Sequence, residues 1–259
     1  MEDFLKSWKK GRIEWSNPFN PKQRKIIDLT GVELVVFWSK FPIGLLKNLE
    51  ELDFDYYLLF TLNDYPELEK NLPDLEKRLD LFKKLSEILG KDRVIWRFDP
   101  IVLLKDLIEP DEIVQRFERI LRVLKDHTQR VIISFMTPYR KVLRRLERHG
   151  YEYVDPDIDT AIWIASKLSF LVSSVGLRIQ SCADRFNTAG ELERVGVTRG
   201  ACIDKEYIKM TFAHNERLMK EIDSLGKDRG QRRGCLCLKS VDVGRYNTCR
   251  FKCVYCYAV

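Results

Sequence analysis

The residues with the clearest chemical potential lie near the C-terminus, where Cys249, Cys253 and Cys256 follow a C-x₃-C-x₂-C spacing. We refer to these three as the loop cysteines. One short loop thus supplies three thiolates, the usual ligands of iron–sulfur clusters. Three ligands suit a cubane [4Fe–4S] cluster with one iron that no protein side chain holds. Such an open iron can bind and activate a cofactor or substrate.

The chain has four further cysteines, Cys182, Cys202, Cys235 and Cys237, which bring the total to seven. The odd total, the C-terminal clustering and the lack of a secretory signal argue against a disulfide framework. The four could hold a second metal, zinc or an iron–sulfur cluster. Alternatively, one of them could be the fourth ligand of the first cluster, which would close it. The spacing leaves both arrangements open.

Zinc is an alternative metal for the loop cysteines as well. Structural zinc usually takes two ligands from each of two short segments, which a three-cysteine loop does not match. His127, His149 and His214 all lie far from the tail in sequence. The pattern therefore predicts thiolate-only ligation and favours iron–sulfur over zinc.

A second candidate group consists of polar residues at the ends of apolar runs. We call it the polar ring; its members are Ser39, Lys40, Thr61, Asn63, Arg97, Asp99, Ser134, Ser181 and Cys182. In parallel α/β folds the carboxyl ends of the strands form the site. We predict that Thr61, Arg97, Asp99 and Ser134 bind a cofactor. Arg97 and Asp99 alternate along one strand and so share a face, which also fits a structural ion pair.

The elements that would position these residues are visible as apolar runs and helical stripes. Near-continuous apolar runs are typical of parallel strands buried on both faces. The five predicted strands are Glu33–Trp38, Tyr56–Leu62, Arg93–Phe98, Arg130–Phe135 and Leu177–Ser181. Between them, apolar stripes over 72–85 and 113–124 recur at helical spacing. Proline positions predict helix starts after Asn71, Thr137 and Asp155. Gly90, Gly150 and Gly176 lie where helices should end.

Alternating strands and helices predict an α/β fold with a parallel sheet. No G-x-G-x-x-G follows the first strand, so a dinucleotide-binding sheet lacks its main support. We therefore predict a TIM-barrel-like (β/α) barrel, complete or incomplete, over 1–226. An irregular cysteine-rich iron–sulfur segment, 227–259, would pack at the barrel mouth.

Composition describes an ordinary globular chain of 259 residues, with 45% apolar and 32% charged residues. Neither a membrane-spanning run nor a signal peptide is evident, which predicts a cytoplasmic protein without a membrane partner. The net charge of +6 permits nucleic acid as a partner. The basic residues that would contact it are Arg229, Arg232, Arg233, Arg245, Arg250 and Lys252. A solvated basic linker is the competing interpretation.

The tail resembles the cluster loop of radical S-adenosylmethionine enzymes, and its Tyr-Cys-Tyr ending, 255–257, is similar to the spore photoproduct lyase branch. The whole chain resembles the domain of unknown function 1848 family. The stretches that carry this resemblance are 17–21, 36–40, 60–62, 94–100, 131–135, 181–183, 201–204, 235–237 and 242–257.

The first resemblance implies a [4Fe–4S] cluster, S-adenosylmethionine as cofactor, an external electron donor and an unknown substrate. The family resemblance implies a barrel that precedes its cluster loop, a permuted order relative to ordinary radical enzymes. Family members open with a strand carrying Ser-Arg-Arg-Thr-Asp-Ile-Pro and continue beyond the final motif, so we expect this chain to be a fragment, a truncation or dependent on a partner. The competing functions are a radical enzyme, a non-catalytic metal-binding module and a nucleic-acid binding or repair protein.

Overall fold

The computed structural model describes residues 1–17, 20–227, 230–232 and 234–259. Parts of two sequence motifs, Pro18 and Phe19 in the 17–21 stretch and Asp228, Arg229 and Arg233 in the basic linker, lie outside the described residues. The strands are Arg12–Asn17 (β1), Asn20–Asp28 (β2), Val35–Ser39 (β3), Tyr56–Thr61 (β4), Val94–Ile101 (β5), Leu103–Leu104 (β6), Arg130–Phe135 (β7), Tyr153–Val154 (β8), Arg178–Cys182 (β9) and Thr198–Gly200 (β10). The α-helices are Glu2–Lys9 (α1), Ile43–Leu46 (α2), Leu75–Leu89 (α3), Pro110–Leu124 (α4), Arg140–Arg148 (α5), Ile158–Ser174 (α6), Lys205–Thr211 (α7) and Glu216–Glu221 (α8). Short 3₁₀ helices cover Leu49–Glu51, Arg185–Asn187 and Glu191–Val195.

A six-stranded parallel sheet forms the centre of the molecule, in the order β10-β9-β7-β5-β4-β3. All five predicted strands are part of it. Two small antiparallel pairs, β1 with β2 and β6 with β8, lie outside it. The sheet does not close into a barrel within the described ranges, where β3 and β10 form its two edges. The architecture is thus an open α/β sheet flanked by helices.

Both faces of this sheet are apolar, which explains the continuous runs in the sequence. In β4, Leu58 and Phe60 join the larger core on the first face, together with residues of α3, α4, α5 and α6. Tyr57 and Leu59 join a smaller core on the second face. Residues of α7, α8 and the chain near Cys202 and Cys237 cover this second face. The carboxyl edge of this second face carries part of the polar ring.

The predicted helix ends are confirmed, but the predicted starts are wrong. Gly90, Gly150 and Gly176 adopt positive φ values of 92°, 79° and 74°, which a residue without a Cβ tolerates best. Asp74 and Asp157, rather than Asn71 and Asp155, cap α3 and α6 by accepting hydrogen bonds from backbone N–H groups. Helix α5 begins at Arg140 without a side-chain cap. The prolines lie in the segments before the helices, so each start is later than predicted.

Beyond residue 183 the structure contains elements that the apolar pattern missed, namely β10, α7 and α8. β10 has only three residues and pairs with Gln180–Cys182 of β9. Both helices are short, with seven and six residues. Within the described part of the chain, no helix has the length and apolar character needed to cross a bilayer.

Candidate functional site

The second face of the sheet changes from apolar to polar at its carboxyl edge. Side chains alternate along a strand, so Thr61 continues the column of Tyr57 and Leu59, and Arg97 continues that of Ile95. Ser134 follows Ile132 in the same way. Thr61 and Arg97 are also register partners on neighbouring strands. The predicted cofactor-binding residues are therefore neighbours on one face.

Asp99 is the centre of this polar edge. Its carboxylate accepts hydrogen bonds from Arg97 Nη2 and Ser134 Oγ. Asn63 holds the backbone of Asp99 on both sides, because its Nδ2 donates to the Asp99 carbonyl and its Oδ1 accepts from the Asp99 N–H, each at 3.0 Å. The carboxylate is thus fixed by two strands and one loop residue.

The charges around Arg97 link the polar edge to several cysteines. Burial alone would lower the pKa of Arg97, but the charges of Asp99, then Cys202 and Cys182, act in the opposite direction. The net pKa lies above its ordinary value, so Arg97 is a permanent cation. A second carboxyl, Asp184, has its pKa raised to about 6, chiefly by burial. Backbone N–H groups of Phe135 and Phe186 donate to it at 2.6 and 2.8 Å.

Other members of the polar ring lie apart from this face. Ser181 accepts a hydrogen bond from Asn187 at 2.7 Å, on the side of β9 opposite to Cys182. Ser39 accepts from the backbone N–H of Phe41 at 3.2 Å and so stabilises a turn. The ring predicted from strand ends is therefore split between one polar face and positions that stabilise loops and turns.

The segment with the loop cysteines packs on the loop that follows β4. The N–H of Val254 donates to the carbonyl of Leu68 at 2.9 Å. Asn71 Nδ2 donates to the carbonyl of Phe251 at 3.1 Å. Cys253 is only 4% exposed and belongs to the larger core, whereas Cys256 is half-buried and Cys249 is exposed. The three sulfurs thus range from the protein interior to the surface.

A buried ionic network lies beneath this loop. Glu69, 3% exposed, receives hydrogen bonds from Lys40 at 2.8 Å and Arg78 at 2.9 Å. The hydroxyl of Tyr255 also donates to Glu69 and receives a hydrogen bond from Asn63 at 3.2 Å. Tyr255 therefore joins the loop to both Glu69 and the residue that holds Asp99.

Arg145 of α5 holds the same loop from the other side. Its Nη1 donates to the carbonyls of Cys253, Val254 and Cys256 at 3.4, 3.3 and 2.7 Å. Its Nη2 donates to the carbonyl of Val259. Carbonyl oxygens thus face the guanidinium, which fixes the backbone that carries two of the loop cysteines.

The electrostatics of Cys253 reflect its burial and its neighbours. Burial raises the pKa of the thiol to about 12, Lys40 lowers it, and Glu69, Cys256 and Cys249 raise it. The two cysteines that act on Cys253 are thus the other members of its loop. Without a metal, Cys253 is a neutral thiol at neutral pH.

The remaining cysteines form a separate group, which we call the four-thiol group: Cys182, Cys202, Cys235 and Cys237. The thiol of Cys182 lies close to each of the other three thiols. The thiols of Cys202 and Cys235 each lie close to that of Cys237 as well. Within the residues that the structure describes, no group of three or more His, Cys, Asp or Glu side chains is already arranged so that it could hold a metal ion. The seven cysteines nevertheless divide into three and four.

Three segments bring the four-thiol group together. Cys182 ends β9, and Cys202 follows β10, whose Gly200 is the register partner of Cys182. The hydroxyl of Tyr57 fixes the backbone near Cys202 by donating to its carbonyl at 2.7 Å. The N–H of Ile203 donates to Cys237 Sγ at 3.4 Å, and the carbonyl of Ile203 accepts from Leu238 at 2.9 Å.

The basic residues considered for nucleic acid have different environments. Arg232 lies within electrostatic reach of Asp99, Tyr257 and Cys182. Arg250 stacks on Phe251, with 5.1 Å between the guanidinium carbon and the ring centroid. Arg229 and Arg233 lie outside the described residues. One of the predicted nucleic-acid contacts thus faces the polar edge.

Sequence reasoning missed Glu69, Arg78, Arg145 and Asp184. Glu69 and Asp184 lie in loops and Arg78 and Arg145 on helices, so neither spacing nor motif marks them. Asn63 was only a peripheral member of the polar ring. Their roles arise from tertiary contacts with the tail and with neighbouring strands.

A protein-family model described as a domain of unknown function, DUF1848, matches residues 1–258, and the chain belongs to this family. No curated protein and no solved structure matches the chain.

Proposed function

We propose that this member of the DUF1848 family is an iron–sulfur enzyme of the radical S-adenosylmethionine type. Cys249, Cys253 and Cys256 would hold a [4Fe–4S] cluster, and the polar edge of the sheet would bind the cofactor and substrate. The observation that carries the proposal is the docking of the three-cysteine loop. Its backbone is bonded to the loop after β4, next to the residues that fix Asp99.

The donor set fits such a cluster. It offers three soft thiolates, which suit iron–sulfur centres, and leaves one iron for a non-protein ligand. The thiols of the four-thiol group lie close to one another, which argues against one of its members closing the cluster. When bound, a cluster of this kind supplies the electron that cleaves S-adenosylmethionine reductively to a 5′-deoxyadenosyl radical.

The polar edge has the charges that such a cofactor requires. S-adenosylmethionine carries a carboxylate and an ammonium group, and Arg97 and Asp99 provide one complementary charge each. Thr61 and Ser134 add hydroxyl groups on the same face. Because Arg97 and Asp99 already pair with each other, binding would exchange part of this ion pair for contacts with the cofactor.

Anaerobic reconstitution of the full chain with ferrous iron and sulfide tests the proposal. We expect about four irons and four sulfides in the loop cluster. The electron paramagnetic resonance signal of the reduced protein should change on addition of S-adenosylmethionine, and 5′-deoxyadenosine should accumulate. A cluster that does not respond to the cofactor, or a chain that binds no iron, would contradict it.

Matched variants assign the result to the loop. Cys256→Ser should lose the cofactor response, whereas Val241→Ser, an exposed position in the same segment, should retain it. A response that persists in Cys256→Ser would place the cluster elsewhere.

The second candidate is a non-catalytic metal-binding module, which the four-thiol group favours. In that case anaerobically purified protein would contain no oxygen-labile iron, whatever its zinc content. Brown, oxygen-sensitive protein with labile sulfide would instead favour the enzyme.

A further inference from the structure

The four-thiol group combines residues that are distant in sequence but whose thiols make five close pairwise contacts. Cys182, Cys202 and Cys237 are buried, and Cys235 is half-buried. Four converging thiols in a protein interior are unusual for a purely structural core, because a thiol is only a weak hydrogen-bonding group. Soft sulfur ligands of this kind are characteristic of metal sites.

We propose that Cys182, Cys202, Cys235 and Cys237 bind a single zinc ion as four thiolate ligands. The site is independent of the loop cysteines and of the proposed radical chemistry. All four positions of the ion are taken by protein, so its role is structural.

The mutual contact of the sulfurs indicates one ion rather than a cubane cluster. At a zinc–sulfur distance of about 2.3 Å, a tetrahedral site places its sulfurs about 3.8 Å apart, in contact with one another. A cubane cluster attaches its cysteines to four different irons at separate corners and holds the sulfurs farther apart. The contacts from Cys182 to all three partners match the smaller centre.

The surroundings supply the positive charge that such a site needs. Four thiolates around one Zn²⁺ leave a net charge of −2. Arg97 and Arg130 both lie within electrostatic reach of Cys202. Arg130 is 3% exposed, and its Nε and Nη2 are buried without a hydrogen-bond partner. Arg97 Nε is also unpartnered. Anionic sulfur would give these buried donors the acceptors that they lack.

Zinc at this position would join three parts of the chain. Cys182 ends β9 and Cys202 follows β10. Cys235 and Cys237 lie in the C-terminal segment, and Cys237 precedes Cys249, the first loop cysteine, by 12 residues. The ion would thereby anchor the start of the C-terminal segment to the second face of the sheet. Binding converts four thiols into four thiolates and releases up to four protons to solvent.

A variant without the loop cysteines isolates this site. The full chain with Cys249→Ser, Cys253→Ser and Cys256→Ser is the parent, produced with zinc chloride in the medium. Native mass spectrometry should show one zinc per chain, with a mass gain reduced by the released protons. Adding Cys235→Ser should lower zinc occupancy at least tenfold in the presence of a competing chelator, whereas adding Val241→Ser should not.

Cobalt provides a second measurement, which does not depend on the folding of the Cys235→Ser variant. Parent protein produced with cobalt should show the intense visible bands of a tetrahedral cobalt–thiolate centre with four sulfurs. Absence of bound metal, iron with labile sulfide, disulfides between these cysteines, or zinc occupancy unchanged by Cys235→Ser would each overturn the proposal. None of these results depends on whether the loop cysteines hold a cluster.

Discussion

Glu69 is the residue on which the contacts beneath the three-cysteine loop depend. Two cations, Lys40 and Arg78, and the hydroxyl of Tyr255 all donate to its carboxylate. Burial together with the charge of Glu69 holds the pKa of Tyr255 well above its ordinary value, so the hydroxyl stays a donor. Glu69 thus keeps Tyr255 in place, and Tyr255 lies between Cys253 and Cys256.

We expect Glu69→Gln to destabilise the protein by about 3 kcal/mol, because it leaves the buried Arg78 and the half-buried Lys40 without their carboxylate. Urea denaturation of the two proteins measures the difference. The control is Glu76→Gln, at an exposed position in the first turn of α3, which should cost less than about 1 kcal/mol. Equal losses in both variants would refute the role of the network.

At this scale the residues with ligand chemistry could be proposed from the sequence, but the residues that support them could not. Cysteine spacing is visible in the chain, and Thr61, Arg97, Asp99 and Ser134 follow apolar runs. Glu69 lies in a loop among several other acidic residues, and only the fold shows that it is buried. Spacing could also not show that the seven cysteines divide into three and four, because contacts such as Cys182 with Cys235 span 53 residues.

Helix α5 acts as an element through Arg145, which donates to four carbonyls of the C-terminal loop. We expect Arg145→Ala to release this loop at a cost of about 1–3 kcal/mol, because charged hydrogen bonds to buried carbonyls are lost. Hydrogen exchange at the Val254 amide should accelerate. Arg148→Ala, an exposed change on the same helix, should leave the exchange rate unchanged. Unchanged exchange in Arg145→Ala would contradict this role.

The corrected helix starts lead to a second prediction at this scale. Asp157 accepts a hydrogen bond from the Thr160 N–H at 2.8 Å and caps α6. Asp157→Ala should therefore lower the free energy of unfolding by about 1 kcal/mol. Asp159 lies in the first turn of the same helix but is not its cap, so Asp159→Ala should lower the free energy of unfolding by less. Thermal unfolding followed by circular dichroism measures both losses. A larger loss of stability in Asp159→Ala than in Asp157→Ala would contradict the assignment of Asp157 as the cap.

Elements could be predicted where burial leaves a continuous pattern. The five predicted strands of the central sheet and the helices α3 and α4 were found from such patterns. Strand β10, Thr198–Gly200, has no apolar run and exists because β9 offers it a free edge. That the sheet is open could not be predicted either. Its second face is covered by the short helices α7 and α8, whose sequences show no clear helical repeat of apolar residues.

At the scale of the whole molecule, both cysteine groups connect to the polar edge, the four-thiol group through Arg97 and the C-terminal loop through Tyr255 and Asn63. The charges of Asp99, Cys202 and Cys182 raise the pKa of Arg97, and so does Tyr257 of the C-terminal loop. The C-terminal segment thus begins at the four-thiol group and ends at the loop after β4. The second attachment reaches Asp99 through Tyr255 and Asn63.

We therefore expect removal of the proposed zinc to weaken the whole fold, not one loop. The four-thiol group belongs to the core that covers the second face, so its loss exposes β4, β5 and β7. For a chain of this size, each 1 kcal/mol lost lowers the unfolding midpoint by roughly 2–4 °C. Calorimetry of the variant without loop cysteines should show a fall of several degrees on addition of a zinc chelator.

The same chelator should have little effect on this variant after Cys235→Ser, because the site is already broken and its midpoint is already low. Wild-type protein whose loop cluster has been lost to oxygen should still respond to the chelator, since the two groups are separate. If removal of zinc left the unfolding midpoint of the variant unchanged, the ion would not stabilise the fold. The contacts of Arg145 and Tyr255 would then hold the C-terminal segment in position.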